Sequence, residues 1–148
     1  MTVRIFVSSI LMIIATQPVA IAQITGAQTP EGCIRVSDPQ SKVSVSGRLT
    51  LQLFPGAPNF ESIAAGDAEE RTFIVELPKA ACIDDGGDFA DPSEKFVTVQ
   101  VSGAQNQLST VLTAAVGRTV IVEGEGYASH TGHHHAPLVV IADRVSVE

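Results

Sequence analysis

All four histidines of this 148-residue chain fall in one run, His130-Thr131-Gly132-His133-His134-His135, followed by Ala136-Pro137-Leu138. Imidazoles at that density offer metal ligation, proton transfer, or paired donor and acceptor hydrogen bonding. In an extended chain His133 and His135 project to one side and His134 to the other. With His130 folded back across a turn at Thr131-Gly132, the run predicts a three-nitrogen site drawn from His130, His133, His134 and His135, suited to zinc, copper or nickel. The same rings also suit the rim of a β-structure, where one nitrogen donates to a backbone carbonyl, the other accepts, and no metal is needed. A contact surface for a ligand or another protein is the third use. General acid–base work needs an orienting carboxylate and a nucleophile, and the sequence does not show Asp143 or any serine to be within reach. A G-x-S-x-G elbow, a phosphate loop and an H-E-x-x-H helix are all missing. The expectation is therefore a protein that is not an enzyme. A metal-assisted hydrolase would require an open coordination position on a cleft.

A second group of ligand-capable side chains lies in Asp84-Asp85-Gly86-Gly87-Asp88-Phe89-Ala90-Asp91-Pro92-Ser93-Glu94. Asp84, Asp85, Asp88, Asp91 and Glu94 are candidate oxygen ligands for calcium, with glycines supplying sharp turns, although the EF-hand spacing is not present. The competing reading is a solvated loop whose aspartates make turns and cap backbone amides.

The compartment decides how the two cysteines are read. Thr2, Val3 and Arg4 form a short basic start, Ile5 to Ala15 an apolar stretch, and Ala20-Ile21-Ala22 places small residues where a signal peptidase reads. The expectation is a signal peptide over residues 1–22, cleaved after Ala22, and a periplasmic or secreted protein. The apolar stretch falls short of the roughly 20 residues needed to span a bilayer, so the chain is not membrane-spanning after cleavage. In an oxidising compartment the lone pair Cys33 and Cys82 predicts a disulfide.

The elements that must position these groups are read from periodicity. Residues 23–42 carry Gly26, Pro30, Gly32 and Pro39 without a sustained period and read as a leader segment. From Val43 to Leu53 apolar and polar residues alternate as a first strand, with Gly47 at a possible bend, and Pro55-Gly56-Ala57-Pro58 opens a polar loop reaching Glu70. Arg71 to Leu77 is a second strand closed by Pro78, and Phe96 to Val101 a third. Gln107 to Val116 has helical spacing and is stopped by Gly117. Arg118 to Tyr127 and Pro137 to Val147 are the fourth and fifth strands. Three strands, a short helix and two strands, over residues 43–148, is the order of an all-β, OB-like five-stranded Greek-key barrel. Another small barrel or sandwich is the alternative.

The residues Gly47 to Leu51 (G-R-L-T-L), Cys82 to Asp85 (C-I-D-D), Val116 to Gly124 (V-G-R-T-V-I-V-E-G) and His130 to Leu138 (H-T-G-H-H-H-A-P-L) resemble an uncharacterised family of exported bacterial proteins. Its T-[AG]-H-H-H-x-P-[VL] signature maps onto Thr131, Gly132, His133, His134, His135, Pro137 and Leu138. The resemblance implies a periplasmic OB-like domain and carries no function, since the family is a domain of unknown function.

Composition narrows the partners. A formal net charge of −7, without any Lys/Arg-rich run, opposes phosphate backbones, and removal of Arg4 with the signal peptide makes the chain more acidic still. Aromatic stacking platforms are scarce, which further disfavours single-stranded nucleic acid. The sequence thus predicts an exported binding module that uses the His-rich hairpin to recognise a protein, a peptide or an envelope glycan, with a periplasmic transition-metal binder as the alternative.

Overall fold

Alternation of branched aliphatic and polar residues is what closes this chain on itself. The computed structural model describes residues 32–36, 42–87, 89–103 and 106–148; the predicted signal peptide and Asp88 lie outside the described residues. In chain order the elements are β1 (Ile34–Arg35), β2 (Lys42–Pro55), a 3-10 turn (Ile63–Ala65), β3 (Glu69–Ala81), β4 (Ile83–Asp84), β5 (Phe96–Gly103), α1 (Asn106–Ala115), β6 (Thr119–Ala128) and β7 (Leu138–Val147). Strands β2-β3-β5-β7-β6 form a closed barrel. All neighbours are antiparallel except β5 and β7, which run parallel because α1 and β6 intervene. This is the OB-like, one-helix, all-β architecture expected from the order of elements.

The inward-facing residues of every barrel strand build the core. Val45, Leu49, Val75, Val99, Val122 and Leu138 are fully buried there. Helix α1 closes one end by burying Leu112 and Ala115 against them. At its exit the Gly117 amide donates to the Leu49 carbonyl at 2.7 Å, and the Leu49 amide donates to Arg118 at 2.9 Å. The tie falls where β2 changes partner, since Arg48 pairs with Thr119 of β6 and also with Glu76 of β3. Gly47 permits that change, because a Cβ there would run into the carbonyl of Glu76.

One expectation needs correction. β3 is not closed by Pro78 but continues to Ala81. Between the pairs Glu76–Thr98 and Ala81–Phe96, residues 77–80 of β3 face a single residue of β5. An irregularity of this kind is where a sheet tolerates a residue that has no N–H to donate. Residues 32–36 of the leader take part in the fold. Cys33 and Cys82 form the predicted disulfide, and beside it β1 pairs with β4 in parallel. The Ile34 amide donates to Cys82 at 2.8 Å and the Val36 amide to Asp84 at 2.9 Å. Ile34, Val36 and Ile83 thereby join the main core. Among the described residues no helix is long and apolar enough to cross a membrane.

The disulfide spans 49 residues. Constraint of the unfolded chain by a loop of that length contributes roughly 4 kcal/mol. The double variant Cys33→Ala/Cys82→Ala should therefore lose about that much in urea unfolding followed by circular dichroism. A loss below about 1 kcal/mol would mean that the β1–β4 pairing holds the segment without the covalent link.

Candidate functional site

The His-rich turn joins β6 to β7, and its base is closed by the Ser129 amide donating to the Pro137 carbonyl at 2.9 Å. It does not stand free. Val99 and Val101 of β5 face the core, so Gln100 between them faces outward, in one row with its cross-strand neighbours Ile74 and Val139. All three are nevertheless buried. The Gln100 carboxamide donates from Nε2 to the His133 carbonyl at 3.0 Å, and its Oε1 accepts from the His135 amide at 2.6 Å. One side chain thus satisfies two backbone groups of the turn and lays it against the barrel wall.

Each histidine then meets a different partner. The His135 ring lies parallel to Phe54, with centroids 4.2 Å apart and an interplanar angle of 1°. Its side chain is only 9% exposed, and its Nε2 has no hydrogen-bond partner. The nearest carboxylate oxygen, Glu70 Oε2, is 3.6 Å away, near enough for an ion pair with a protonated ring but too long for a hydrogen bond. The same Oε2 lies 2.9 Å from Nδ1 of His133, whose exposed ring stands edge-on to Phe60 at 4.7 Å. Phe60 also explains Gly132, because a Cβ there would come within 2.8 Å of the Phe60 ring.

Phe60 is presented by a loop, residues 56–68, that is wound around one buried carboxylate. Asp67 accepts from the amides of Asn59 at 2.9 Å and of Glu61 and Ser62 at 2.8 Å each. The Ser62, Glu61 and Asn59 amides stabilise the ionised form and hold the Asp67 carboxyl below its usual pKa.

His130 and His134 meet edge to face, with ring centroids 4.7 Å apart. Nδ1 of His130 is 3.0 Å from the Ala128 carbonyl, which can only accept, so this nitrogen carries the proton. Nδ1 of His134 accepts from the His130 amide at 3.0 Å and is therefore bare. Burial first, and then the neighbouring imidazoles His130, His133 and His135, lower the pKa of His134, against a smaller opposing effect of Glu70. Tyr127 packs 5.5 Å from His130 and 5.3 Å from His134, and Phe89 lies 5.3 Å from His130.

As placed here, the four histidines are shared among different partners rather than gathered in a three-nitrogen centre. His130 and His134 turn to backbone partners, His133 and His135 turn to Glu70, and the four rings have no shared focus. Among the described residues no three His, Cys, Asp or Glu side chains are grouped to hold a metal ion. The hydrogen-bonding and packing use of the histidines is the one that the geometry shows.

The acidic loop is likewise organised from within. Asp84 accepts from the Gly86 amide at 3.1 Å and lies 3.8 Å from Arg35. Asp85, buried, accepts from the amides of Gly87 at 3.0 Å, Phe89 at 2.6 Å and Ala90 at 3.0 Å. Asp91 accepts from the Ser93 amide at 2.8 Å and hydroxyl at 2.7 Å. The described aspartates of this run make turns and hold backbone amides, as in the competing reading of the loop, and Asp88 lies outside the described residues. Glu94 has another place.

That place is a pocket of about 470 Å³ between the two segments. Phe89, Asp91 and Glu94 line it from the acidic loop, and His134, His135 and Pro137 from the His-rich turn, over a floor that includes buried Ile83 and Phe96. Two runs that the sequence marked separately are brought together here. Gln100, Glu70, Phe54, Phe60 and Asp67 complete the arrangement and carried no sequence signal, since each reads as an ordinary strand or loop residue.

Residues 98–146, from within β5 through α1, β6 and the His-rich turn into β7, match the family model described as "Domain of unknown function (DUF4431)". No curated protein matches the chain.

Gln100→Ala leaves two part-buried backbone groups of the turn without their partner and should cost about 1 kcal/mol. Faster hydrogen exchange confined to residues 129–137 would accompany it, and unchanged exchange there would remove Gln100 from this role. His134 should titrate below about 6.5, the usual histidine value, while the unfolded chain takes up its proton near that value. This contribution to stability is therefore complete above about pH 6.5 and declines as pH falls toward the lowered folded value. A ring-carbon NMR titration reads the midpoint directly; His130→Ala should raise it, and a midpoint at or above about 6.5 in the wild type would contradict the assignment.

Proposed function

We propose that this chain is an exported, OB-like binding module whose recognition site is the pocket between the His-rich turn and the Asp-rich loop. One observation carries the reading: residues some forty positions apart, from the two segments richest in functional side chains, converge on a single open cavity of about 470 Å³. That volume lies within the range of small-molecule and side-chain sites. The site has the rigid support that recognition needs. The loop is anchored at the disulfide and wound on Asp85, and the turn is clamped by Gln100. Phe89, 68% exposed, costs free energy to leave in water and is the kind of aromatic side chain that anchors contacts. The preferred partner is a protein or peptide segment, because the acidic chain opposes nucleic acid and the pocket presents an exposed aromatic side chain, Phe89. Export is supported by the disulfide, since such bonds persist in oxidising compartments.

Selection of peptides from a random display library against the wild-type protein should enrich sequences whose affinity drops at least ten-fold in Phe89→Ala and in His134→Ala. The protein recovered from its source should begin at Gln23 by mass. Enriched peptides indifferent to both substitutions would place recognition elsewhere on the barrel, and a chain retaining Met1 would remove export from the proposal.

A further inference from the structure

Resting on that pocket as the recognition site, we infer that its ligand group is cationic, an arginine or lysine side chain presented by a peptide segment. The walls of the cavity carry the inference. Phe89 and His134 both line it, and behind them His130 and Tyr127 complete a cluster of four rings with centroid separations between 4.7 and 5.5 Å. Ring faces attract a cation within about 6 Å, most of all when it leaves bulk water. The buried floor of Ile83, Phe96 and Ala136 suits the methylene stem of such a side chain.

Charge selects the same class. Asp91 and Glu94 line the pocket against the single ammonium of Lys95. The hydroxyl and amide of Ser93 hold Asp91 below its usual pKa, so it stays ionised. His134, with its pKa lowered, adds no opposing charge near neutral pH. The lining is therefore negative overall, on a chain whose formal charge is −7. A further cavity among the described residues, of about 360 Å³, offers no such site. Its Lys42 lies 2.6 Å from Asp143 and its Arg144 lies 3.2 Å from Glu123, so its charges are paired within the protein.

The test titrates the labelled full-length protein with three capped pentapeptides, Gly-Ser-X-Ser-Gly with X as arginine, leucine or glutamate, at physiological salt. Ring resonances of Phe89 and His134 report on the pocket. The arginine peptide should shift both and bind at least ten-fold more tightly than the other two. Phe89→Ala, which alters no charge, and Asp91→Asn/Glu94→Gln should each weaken it about ten-fold, with folding checked by thermal melts. Glu123→Gln, on the 360 Å³ cavity, should leave it unchanged. A leucine peptide that shifts the same rings as tightly overturns the cationic class while leaving the pocket as a site. Arginine binding weakened equally by Glu123→Gln overturns it in favour of diffuse attraction to an acidic protein. Silence of both rings toward all three peptides overturns the inference, and a neutral disaccharide that shifts them instead would assign the pocket to a glycan.

Discussion

The carboxamide of Gln100 is the contact on which the functional face is built. A nine-residue connection between two paired strands has more backbone donors and acceptors than its own closure can satisfy, and those that are buried must find partners. Gln100 supplies one donor and one acceptor at a fixed spacing on a rigid strand, and the His133 carbonyl and His135 amide match them. Docking the turn on the wall then brings His135 onto Phe54 and His133 onto Glu70, contacts that a turn projecting into solvent would not make. An aliphatic residue at position 100 would pack equally well with Ile74 and Val139 and leave the turn without an anchor.

The flanking loops follow a related principle with charge added. Asp67 and Asp85 are each buried and each gather at least three backbone amides, a short-range arrangement in which an ionised carboxylate does the work of a strand partner. One loop delivers Phe60 to His133, and the other delivers Phe89 to His130. Two of the rings near the histidines, Phe60 and Phe89, are thus positioned by carboxylates that hold the backbone of their loops. The disulfide beside β4 fixes where the second loop begins, so its effect on the pocket is exerted through the chain rather than by contact.

Legibility in the sequence followed the range of the interaction. The alternation of Val43 to Leu53 and of Phe96 to Val101, the helical spacing before Gly117 and the pairing of the two cysteines were all readable, because each is a local pattern or a choice with one solution. Pro78 misled, since its cost to a strand depends on whether the partner strand demands its missing N–H, and an irregularity in β3 removes that demand. Gln100 and Glu70 were invisible for a different reason. Their partners lie 33, 35 and 63 residues away, and an outward-facing glutamine on a strand looks the same whether it meets water or a folded-back turn. The two candidate ligand runs were found, but their meeting at one pocket depends on barrel closure, which no local pattern encodes.

Clustering of histidines suggested metal because density was read as convergence, whereas in this turn the rings are directed to different partners: Nδ1 of His130 donates to Ala128, Nδ1 of His134 receives the His130 amide, and His133 and His135 turn toward Glu70. Position by position, the run is the one that this bend requires. Thr131 accepts from His134, Gly132 makes room for Phe60, His133 reaches Glu70, His135 stacks on Phe54, and the Pro137 carbonyl closes the base with Ser129. What the imidazoles share is a flat, adaptable ring that offers a hydrogen bond at its edge and a face for packing. Those properties build a rigid aromatic wall, which is a surface for recognition before it is a set of ligands.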